Sequence, residues 1–580
     1  LGLMALLKIE FNIINIIIST LIFGLGDDYS IFITDGLLEK YKYGSNKINS
    51  IKTSIFLSAI TTVIGLGILI FAKHPALRSI ALVSVIGIFS ILFVSQTIQP
   101  LLFNFFIQNR TNKKFFPFTL WSFVITIFAF LYYVVGCLTV TVIGFILTRC
   151  IPFAKDKMKY IYHVIICKMM WSLLYIMANT KKRFDGIEHR DFSNLVVIIA
   201  NHSSFLDLLR IISLHPKILL LTNKWVWRSP VFGALVRMAD YYPVEEGAEF
   251  SVDKMKYWVD RGYSIAVFPE GTRSYDSVIK RFHKGAFYIA EKLQLDIQPI
   301  LFHGIGHSMS KGDFLLKNGE INAKYLPRIH FSDSRFGTTY SERARKIGKY
   351  FREEFEKYRR EREVPTYFKE QLLKNYYYKG PILEWYCRIK VKLENYYTPI
   401  EKLVPREGNI LDIGCGYGFL AYTLSFTSER RMVRGLDYDE EKIEVAQHNF
   451  SKTNRIEFIQ GDAIDFPKNV QYDCILIMDV LHYLVPEKQL ALLEKCLEFL
   501  SENGILIVRD GVKELDRKHK GTELTEVFST KIFGFNKTDN ALHFISRRFL
   551  EDFAKQHHLR MEVIDHTKFT SNIIAVFSKA

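Results

Sequence analysis

Apolar residues of this 580-residue chain are concentrated before residue 150, and this concentration limits the possible folds more than any other feature. Three runs, at about 11–36, 51–71 and 77–107, are each long enough for a bilayer-spanning helix of about 20 residues. Residues 1–8 are typical of the end of an earlier apolar helix. The rest of the chain alternates apolar and charged segments, as soluble α/β domains do. The sequence predicts a membrane part followed by soluble parts.

Basic residues are grouped in the two connections that follow the first and third apolar runs. They are Lys40, Lys42, Lys47 and Lys52 in one connection and Arg110, Lys113 and Lys114 in the other. Loops with an excess of Lys and Arg face the cytoplasm, and the two spans between these connections make the two assignments agree. We therefore expect a multi-pass protein of the inner, cytoplasmic membrane with its soluble domains on the cytoplasmic side.

The formal net charge of +16 is compatible with a nucleic-acid partner or with a membrane surface. The Lys and Arg clusters lie beside apolar runs or in a helical segment, so we expect membrane lipids as partners and no nucleic acid. The 7 cysteines show no C-x-x-C spacing and no accompanying histidine cluster. This pattern predicts a reducing cytosol and no metal site.

The patterning divides the chain into five segments. They are transmembrane helices (1–110), a membrane hairpin or re-entrant segment (111–150), an α/β domain (151–338), a charged helical linker (339–378) and a second α/β domain (379–580). The linker is assigned because opposite charges lie three or four residues apart, as on a solvated helix. The predicted fold class is multidomain: an α-helical transmembrane segment followed by two α/β domains.

A histidine and an aspartate follow the first strand-like run of the first α/β domain. His202 comes directly after residues 195–200, at the end of a strand where α/β sheets place their chemistry. Asp207 lies five positions later, so the two side chains can meet if His202 is in the loop and Asp207 in the first helical turn. The carboxylate would then hold one imidazole nitrogen and leave the other to take a proton from a hydroxyl.

A second block, Phe-Pro-Glu-Gly-Thr-Arg-Ser at residues 268–274, follows another strand-like run. Arg273 is the natural phosphate ligand in it, since a guanidinium binds phosphate through two parallel hydrogen bonds. Lys284 is a second cationic candidate, and its alternative is an ordinary surface lysine.

These two blocks resemble the glycerolipid acyltransferase family, which includes the 1-acyl-glycerol-3-phosphate acyltransferases. The Asn-His-x4-Asp block and the 268–274 block occur in the family's order, with Glu270 placed 68 positions after His202. The resemblance covers about residues 150–340 and implies His202 as general base with Asp207 as its orienting partner. It assigns the acceptor's phosphate to Glu270, Gly271, Thr272 and Arg273. The implied acyl donor is a thioester on coenzyme A or acyl carrier protein.

The chain departs from the family between these blocks. The family usually has an arginine after a short strand, whereas residues 240–247 read Asp-Tyr-Tyr-Pro-Val-Glu-Glu-Gly. A hydroxyl acceptor other than a lysophosphatidate is therefore a second possibility. The alternative for His202 and Asp207 is that their side chains only hydrogen-bond to each other within a loop and have no catalytic role.

Three alternating glycines, Gly414, Gly416 and Gly418, follow a strand-like run in the second α/β domain. Glycines in this position let the backbone approach a ligand and open a helix, in dinucleotide-binding proteins as in others. Acidic residues stand at successive strand ends in the same domain: Asp412, Asp437, Asp462 and Asp479.

This series resembles the class I S-adenosylmethionine-dependent methyltransferases over about residues 405–510. The resemblance implies that Asp412 and the glycines hold the methionine part of the cofactor, Asp437 the ribose and Asp462 the adenine amino group. Asp479 is grouped with them as a cofactor residue, and a nicotinamide enzyme is the alternative. His482 is a candidate base for a phenol or acid acceptor, or else a residue that packs beside the cofactor.

A fourth apolar stretch covers residues 117–148. A single crossing there would place everything after it on the outer side, away from cytosolic S-adenosylmethionine. We therefore expect a hairpin or re-entrant element that bends near Gly136. One tilted crossing is the alternative.

Two acids, Asp27 and Asp28, lie within an apolar span, where charge is costly and usually functional. Residues 24–106 resemble the last three transmembrane helices of a resistance–nodulation–division exporter of the hydrophobic-lipid branch. By this resemblance Asp28 and Tyr29 match a proton-relay pair; alternatively, the two acids cap a helix near the interface. The chain begins at Leu1, and we expect that an N-terminal exporter portion is missing.

The sequence therefore predicts a fusion of exporter helices with two enzymes. One transfers an acyl group from acyl-CoA or acyl carrier protein to a hydroxyl of a lysophospholipid or related lipid. The other methylates a small-molecule or lipid acceptor, and all parts would serve one pathway that exports a lipid-like product. One rival is a proton-driven lipid or pigment exporter with accessory tailoring domains, and another is a membrane scaffold with inactive enzyme domains.

Overall fold

The structure is a computed structural model that divides into two compact units, Leu1–Pro117 with Val364–Ala580, and Phe118–Glu363. The described residues are 2–6, 13–151, 153–243, 248–274, 278–467, 470–512, 542–564 and 572–579. Each unit has a sheet of its own, which confirms the predicted fold class of apolar helices with two α/β domains.

The membrane part of the first unit is helical. Its helices are α1 (Gly2–Leu6), α2 (Ile13–Tyr43), α3 (Ile48–Gly67), α4 (Pro75–Phe93), α5 (Gln99–Phe103) and α6 (Asn109–Asn112). A 3₁₀ turn extends α3, and π turns join α4, α5 and α6 into one rod. Proline is tolerated at the start of α4 because the first amide of a helix has no intrahelical acceptor. His74 caps the same end, since its Nδ1 accepts from the Ala76 amide at 3.2 Å.

Four helices are long and apolar enough to cross a membrane. They are Ile16–Tyr43, Ile48–Phe71, Pro75–Asn112 and Leu120–Cys150. The first three agree in number and order with the predicted spans. Small residues allow close approach of these helices: a Cβ at Gly87 would meet the Ile22 side chain at 2.6 Å.

The fourth apolar helix differs from the expected hairpin. Helix α7 (Leu120–Phe145) runs without interruption through Gly136, and a π turn extends it to Cys150. An apolar helix can continue without a bend because its backbone amides and carbonyls are hydrogen-bonded to each other. Gly136 instead allows the next helix to pack closely. A Cβ at Gly136 would meet Met169 at 2.4 Å, on α8 (Lys155–Ile176). A hairpin does exist, but α7 and α8 form it together.

The sheet of the second unit has the order β1-β6-β5-β2-β4-β3, in which only β5 and β6 pair antiparallel. Its strands are β1 (Thr180–Asp185), β2 (Val196–Ala200), β3 (Ile218–Leu220), β4 (Ser264–Val267), β5 (Asp296–His303) and β6 (Gly319–Tyr325). Its further helices are α9 (Leu206–Ile212), α10 (Lys224–Trp227), α11 (Gly233–Met238), α12 (Ala248–Val259), α13 (Gly285–Lys292), α14 (Ile305–Ser308) and α15 (Tyr340–Arg362). Because β2 and β4 are parallel neighbours, both sequence blocks emerge at the same sheet edge.

The charged segment predicted as a linker at 339–378 is not a linker in the structure. Helix α15 buries Ile347, Phe351 and Phe355 in the core of the second unit. Its charges occupy only the opposite face, which is why the charge pattern alone suggested a solvated helix. The residues after 363 belong to the first unit, where Leu372 is part of the core.

The sheet of the first unit has the order β12-β13-β11-β10-β7-β8-β9, with β13 antiparallel to its two neighbours. Its strands are β7 (Glu407–Ile413), β8 (Arg430–Asp437), β9 (Ile456–Gln460), β10 (Tyr472–Met478), β11 (Leu500–Gly511), β12 (Leu559–Ile564) and β13 (Asn572–Lys579). Its helices are α16 (Lys369–Lys374), α17 (Pro381–Leu393), α18 (Thr398–Leu403), α19 (Phe419–Thr427), α20 (Glu440–Gln447), α21 (Pro486–Phe499) and α22 (Arg547–Gln556).

Both basic connections of the membrane helices contact this α/β domain. Tyr43, at the end of α2, donates from Oη to Glu441 Oε1 on α20 at 2.7 Å. Lys114, after the third rod, donates from Nζ to the Lys452 carbonyl at 2.9 Å. The two connections therefore lie at the same end of the helices, as the positive-inside assignment requires.

Candidate functional site

His202 and Asp207 lie together at the carboxyl end of β2. His202 Nδ1 is 3.0 Å from Asp207 Oδ2, and both side chains are buried. The same carboxylate oxygen accepts from the amides of Ser203 and Ser204, at 2.6 and 2.8 Å, because Asp207 stands in the first turn of α9. The predicted contact between the two side chains is present, and it turns Nε2 into the basic nitrogen of the imidazole.

Neighbours that the sequence did not single out hold this pair. The Phe268 ring stacks on the His202 imidazole, with centroids 4.3 Å apart and planes at 21°. Asn201 exchanges two hydrogen bonds with the backbone of Phe302 on β5, at 2.7 and 2.8 Å. The strand-end position of Asn201 was the available signal, since a buried amide there must find backbone partners.

Glu270 joins the two sequence blocks through hydrogen bonds to the backbone. Its Oε1 accepts from the His202 amide at 2.8 Å and its Oε2 from the Lys280 amide at 2.9 Å. Burial raises the pKa of Glu270 to about 7, against the two backbone hydrogen bonds that lower it. Both oxygens of Glu270 are thus used by backbone amides, and Glu270 positions the backbone of His202. Its role at the acceptor's phosphate stays a prediction.

The cationic part of the second block lies at the surface beside this pair. Arg273 is partly exposed, and its guanidinium lies 5.8 Å from the centre of the Trp225 ring. Lys280 Nζ donates to Thr272 Oγ1 at 3.2 Å, and Lys311 Nζ donates to the Arg273 carbonyl at 3.1 Å. Lys280 and Lys311 add two cations that sequence spacing did not reveal.

The turn that carries these cations depends on Gly271. Its φ of 70° lies in the left-handed region, and a Cβ there would come within 3.2 Å of His283. The amide of Ser274 donates to the His202 carbonyl at 2.9 Å, so the turn is tied to the catalytic loop at this end also.

Lys284 and the 240–247 block, which the sequence analysis also considered, show no contact with this site in the described residues. Lys284 is exposed at the N-terminal end of α13, and within the described ranges it forms no contact with His202 or Arg273. In the 240–247 block, Asp240 pairs with Lys159 at 2.7 Å, and residues 244–247 lie outside the described residues.

The glycine loop after β7 builds a second candidate site, in the first unit. Gly414, Gly416 and Gly418 all have positive φ, at 73°, 54° and 80°. A Cβ at Gly414 would meet Val480 at 2.2 Å, and one at Gly418 would meet Phe458 at 2.6 Å. Both φ and the available space therefore require glycine at positions 414 and 418, whereas at position 416 only φ favours it.

Asp412 and Asp437 frame this loop. Asp412 is fully buried with its Oδ2 lacking a hydrogen-bond partner, and burial, with Asp437 nearby, raises the pKa of Asp412 to about 8. Asp437 Oδ2 accepts from the Gly416 amide at 2.7 Å. An orphaned buried carboxylate oxygen beside a glycine loop fits the ammonium group of S-adenosylmethionine, and a carboxylate at the end of β8 fits ribose hydroxyls.

Asp462 and Asp479 follow the next strands but differ in environment. Asp462 is exposed after β9 and accepts from the Ile464 amide at 2.9 Å, so it can reach a ligand. Asp479 accepts from Lys390 at 3.0 Å and from Arg509 at 2.7 Å, inside an ion cluster. The charge of Asp479 is thus balanced by two cations of the protein itself, and its role as a cofactor residue stays a prediction.

A second histidine–aspartate pair lies in the same domain. His482 Nδ1 is 2.6 Å from Asp510 Oδ1, and both side chains are buried. Asp510 lies near the end of β11, 28 residues after His482. No local sequence pattern could therefore predict that the two side chains pair.

The predicted proton-relay residues of α2 point in different directions. Tyr29 is buried and donates from Oη to Ser58 Oγ on α3 at 3.4 Å. Asp28 is exposed, and in the described part of the chain it forms no ion pair with another titratable side chain. Adjacent residues of a helix are 100° apart, which separates the two side chains.

Three family models match three parts of the chain. They are the MMPL family over residues 2–128, the acyltransferase family over residues 181–303 and a methyltransferase domain over residues 406–558. Each match covers the elements that carry the corresponding residues described above.

Several curated proteins are similar to the acyltransferase part. A chloroplastic 1-acyl-sn-glycerol-3-phosphate acyltransferase of Arabidopsis thaliana is 30% identical over 183 residues, which are 30% of this chain and 51% of that protein. One from Brassica napus is 31% identical over 172 residues, 29% of this chain and 50% of that protein. The chain thus spans about half the length of these relatives.

Solved structures with similar parts include the 1-acyl-sn-glycerophosphate acyltransferase of Thermotoga maritima, with a TM-score of 0.36 and 19% identity. That match covers 41% of this chain and 95% of the other. An O-methyltransferase of Nostoc punctiforme has a TM-score of 0.28 and 20% identity, over 34% of this chain and 60% of the other. From the three family matches, the chain is a fusion of an MMPL-family segment, an acyltransferase domain and a methyltransferase domain.

Proposed function

We propose that the acyltransferase domain transfers an acyl group from acyl-CoA or acyl carrier protein to a free hydroxyl of a lysophospholipid, with His202 as general base. The observation that supports this function best is the buried His202–Asp207 pair, 3.0 Å apart, at the sheet edge beside a cationic turn. The names of the similar plant proteins make 1-acylglycerol 3-phosphate the first acceptor to test.

In the proposed reaction, Asp207 accepts a hydrogen bond from Nδ1–H of His202 and keeps the lone pair on Nε2. Nε2 takes the proton of the acceptor hydroxyl while its oxygen attacks the thioester carbonyl carbon. The carbon–sulfur bond then breaks, and the departing thiolate receives the proton from the imidazolium. The new ester and a free thiol result, with no acyl-enzyme intermediate.

The cations of the second block suit the acceptor's phosphate. Arg273 offers a planar fork of donors, and Lys280 and Lys311 lie on either side of the same turn. Glu270 fixes the distance between that turn and His202, because it bonds the backbone of both. The phosphate would thereby orient the acceptor hydroxyl toward Nε2.

The test is acyl transfer by the full chain in detergent, with labelled acyl-CoA or acyl carrier protein and 1-acylglycerol 3-phosphate. His202→Ala should lower kcat by on the order of 100- to 10,000-fold, the range of general-base catalysis. His330→Ala is the matched control, because His330 is exposed in the same domain. Normal activity of His202→Ala would reject the base, and an inactive wild type would reject this acceptor.

For the other domain, we propose methyl transfer from S-adenosylmethionine to an acidic oxygen of a small molecule or lipid. The cofactor, when bound, supplies an electrophilic methyl group. Asp412 would hold its ammonium group, Asp437 its ribose and Asp462 its adenine amino group. His482, oriented by Asp510, would accept the proton of the acceptor hydroxyl.

We further propose that both domains work at the cytoplasmic face of an inner membrane, on one lipid-like product. The basic connections of the membrane helices and their contacts with the methyltransferase domain support this side. The rival function, a proton-driven exporter, is favoured by the match to the MMPL family. A proton relay through Asp28 and Tyr29 has less support, since the two side chains point apart.

A further inference from the structure

A cavity of about 380 Å³ opens between the ends of the three helical rods of the membrane part. Its walls come from the last turns of α2, the first turns of α3 and the rod that contains α5 and α6. This volume lies in the range of roughly 300–1,000 Å³ that small-molecule sites occupy. Neither enzyme domain contributes to its lining.

The polar lining of this cavity is cationic and amidic. Lys40 and Lys52 face it, and among the described residues neither forms an ion pair. Asn49 and Asn104 add two side-chain amides, for which the described part of the chain shows no hydrogen-bond partner. The nearby Glu39 does not neutralise these charges, since it pairs with Lys47 at 2.7 Å outside the cavity. Lys52 Nζ also donates to the Gln96 carbonyl at 3.2 Å, which holds the ammonium group in place. Two ammonium groups that have no carboxylate partner, together with amide donors, suit a phosphate.

The apolar lining indicates where that phosphate would come from. Leu37 and Phe103 are apolar members of the lining, and the rod that carries Phe103 exposes Leu101 and Phe105, at 65% and 60%. Six residues further along α2 than Leu37, Tyr43 contacts the methyltransferase domain. The cavity therefore lies where the apolar surface of the helices ends and the aqueous domain begins, which is the level of lipid headgroups.

We propose that this cavity binds the phosphate headgroup of an anionic membrane phospholipid. Lys40 and Lys52 pair with the phosphate, and Asn49 and Asn104 donate hydrogen bonds to its oxygens or to the glycerol. The acyl chains lie along the exposed apolar face of α5. A lipid held there links α2, α3 and the third rod at the end that contacts the methyltransferase domain.

The test is native mass spectrometry of the detergent-purified full chain with dioctanoyl phosphatidylglycerol and, separately, dioctanoyl phosphatidylcholine. Wild type should retain the anionic lipid in preference. Lys40→Gln and Lys52→Gln should each weaken its binding by about fivefold, the effect of one lysine at an anionic lipid surface. Lys113→Gln is the matched control, because it removes the same charge at the same end of the helices, outside the cavity.

The outcomes separate the possible ligands. Equal weakening by Lys113→Gln would show diffuse surface attraction and overturn the site. Displacement of the lipid by millimolar glycerol 3-phosphate or inorganic phosphate would identify a soluble phosphate and overturn the lipid assignment. Unchanged S-adenosylmethionine binding by each variant shows that loss of lipid is not loss of folding, and unchanged lipid binding by the double variant would also reject the proposal.

Discussion

Both candidate sites use a histidine whose Nδ1 faces a buried carboxylate. At His202 the carboxylate is five residues away in the chain, and at His482 it is 28 residues away on another strand. In each case the carboxylate fixes the tautomer, so the same chemistry is reached by a local turn and by strand pairing. Only the local arrangement was visible in the sequence.

Asp412 gives the methyltransferase site a pH dependence. Burial raises the pKa of Asp412 to about 8, so without a ligand its carboxyl is mostly protonated at pH 7. An ammonium group bound there favours the ionised form. S-adenosylmethionine affinity should therefore rise with pH, by up to about tenfold per unit below pH 8, with a proton released on binding.

Calorimetry in two buffers of different protonation enthalpy measures that proton. Asp412→Asn should abolish the release and weaken binding most at high pH, whereas the exposed Asp465→Asn should change neither. A pH-independent affinity in wild type would show that Asp412 does not contact the ammonium group.

At the scale of elements, α15 shows that a charged helix can be part of a core. The Phe351 ring lies 5.2 Å from the Phe282 ring, centroid to centroid, and Gly348 packs against the same ring. Charges three and four residues apart on the outer face leave this inner face free to pack. The helix thereby closes the acyltransferase core on the side of α13.

Removal of the Phe351 ring should destabilise the acyltransferase unit. Phe351→Ala should cost about 3–5 kcal/mol, the usual effect of truncating a buried phenylalanine. Heat inactivation of acyl transfer by the full chain measures it. Lys349→Ala, which changes an exposed side chain of the same helix, should have little effect. If the two variants lost activity at the same temperature, α15 would be a linker after all.

Helices α7 and α8 form the other element that packing explains. Tyr132 Oη and Ser172 Oγ are 2.7 Å apart, and Gly144 lies against the Tyr162 ring. The residue numbers of each contacting pair have nearly the same sum, as antiparallel helices require. The glycines of α7 admit large side chains of α8, so their place in the sequence marked a packing face and not a bend.

At the scale of the whole molecule, the two units have separate sheets and separate cores. The membrane helices share a unit with the methyltransferase domain, and the acyltransferase core includes α7, α8 and α15. A ligand of one core stabilises that core by mass action. The two enzyme domains should therefore respond separately to their ligands.

Saturating S-adenosylmethionine should stabilise only the first unit, by about 2.7 kcal/mol at about 100 times Kd. In thermal unfolding of the full chain, one transition should move up while the temperature of acyl-transfer inactivation stays constant. Asp437→Ala, which lacks the ribose ligand, should show no shift in either. Equal protection of acyl transfer by the cofactor would show that the two units unfold as one.

The sequence alone predicts the membrane runs, the two α/β domains, the blocks around His202 and Glu270, and the glycine loop with Asp412 and Asp437. These features are local: hydrophobic length, strand-end position and the φ of a glycine depend on a few neighbouring residues. The acyltransferase and methyltransferase families follow from the same short blocks.

Which carboxylates are available to a ligand, and which faces are buried, depends on how the elements pack together. Glu270 accepts hydrogen bonds from two backbone amides. Asp479 pairs with Lys390 and Arg509, and Asp510 pairs with His482. The partners in each case come from other elements, often far apart in the chain. The sequence shows which side chains are charged. The role of each depends on the groups that the fold places within hydrogen-bond distance of it.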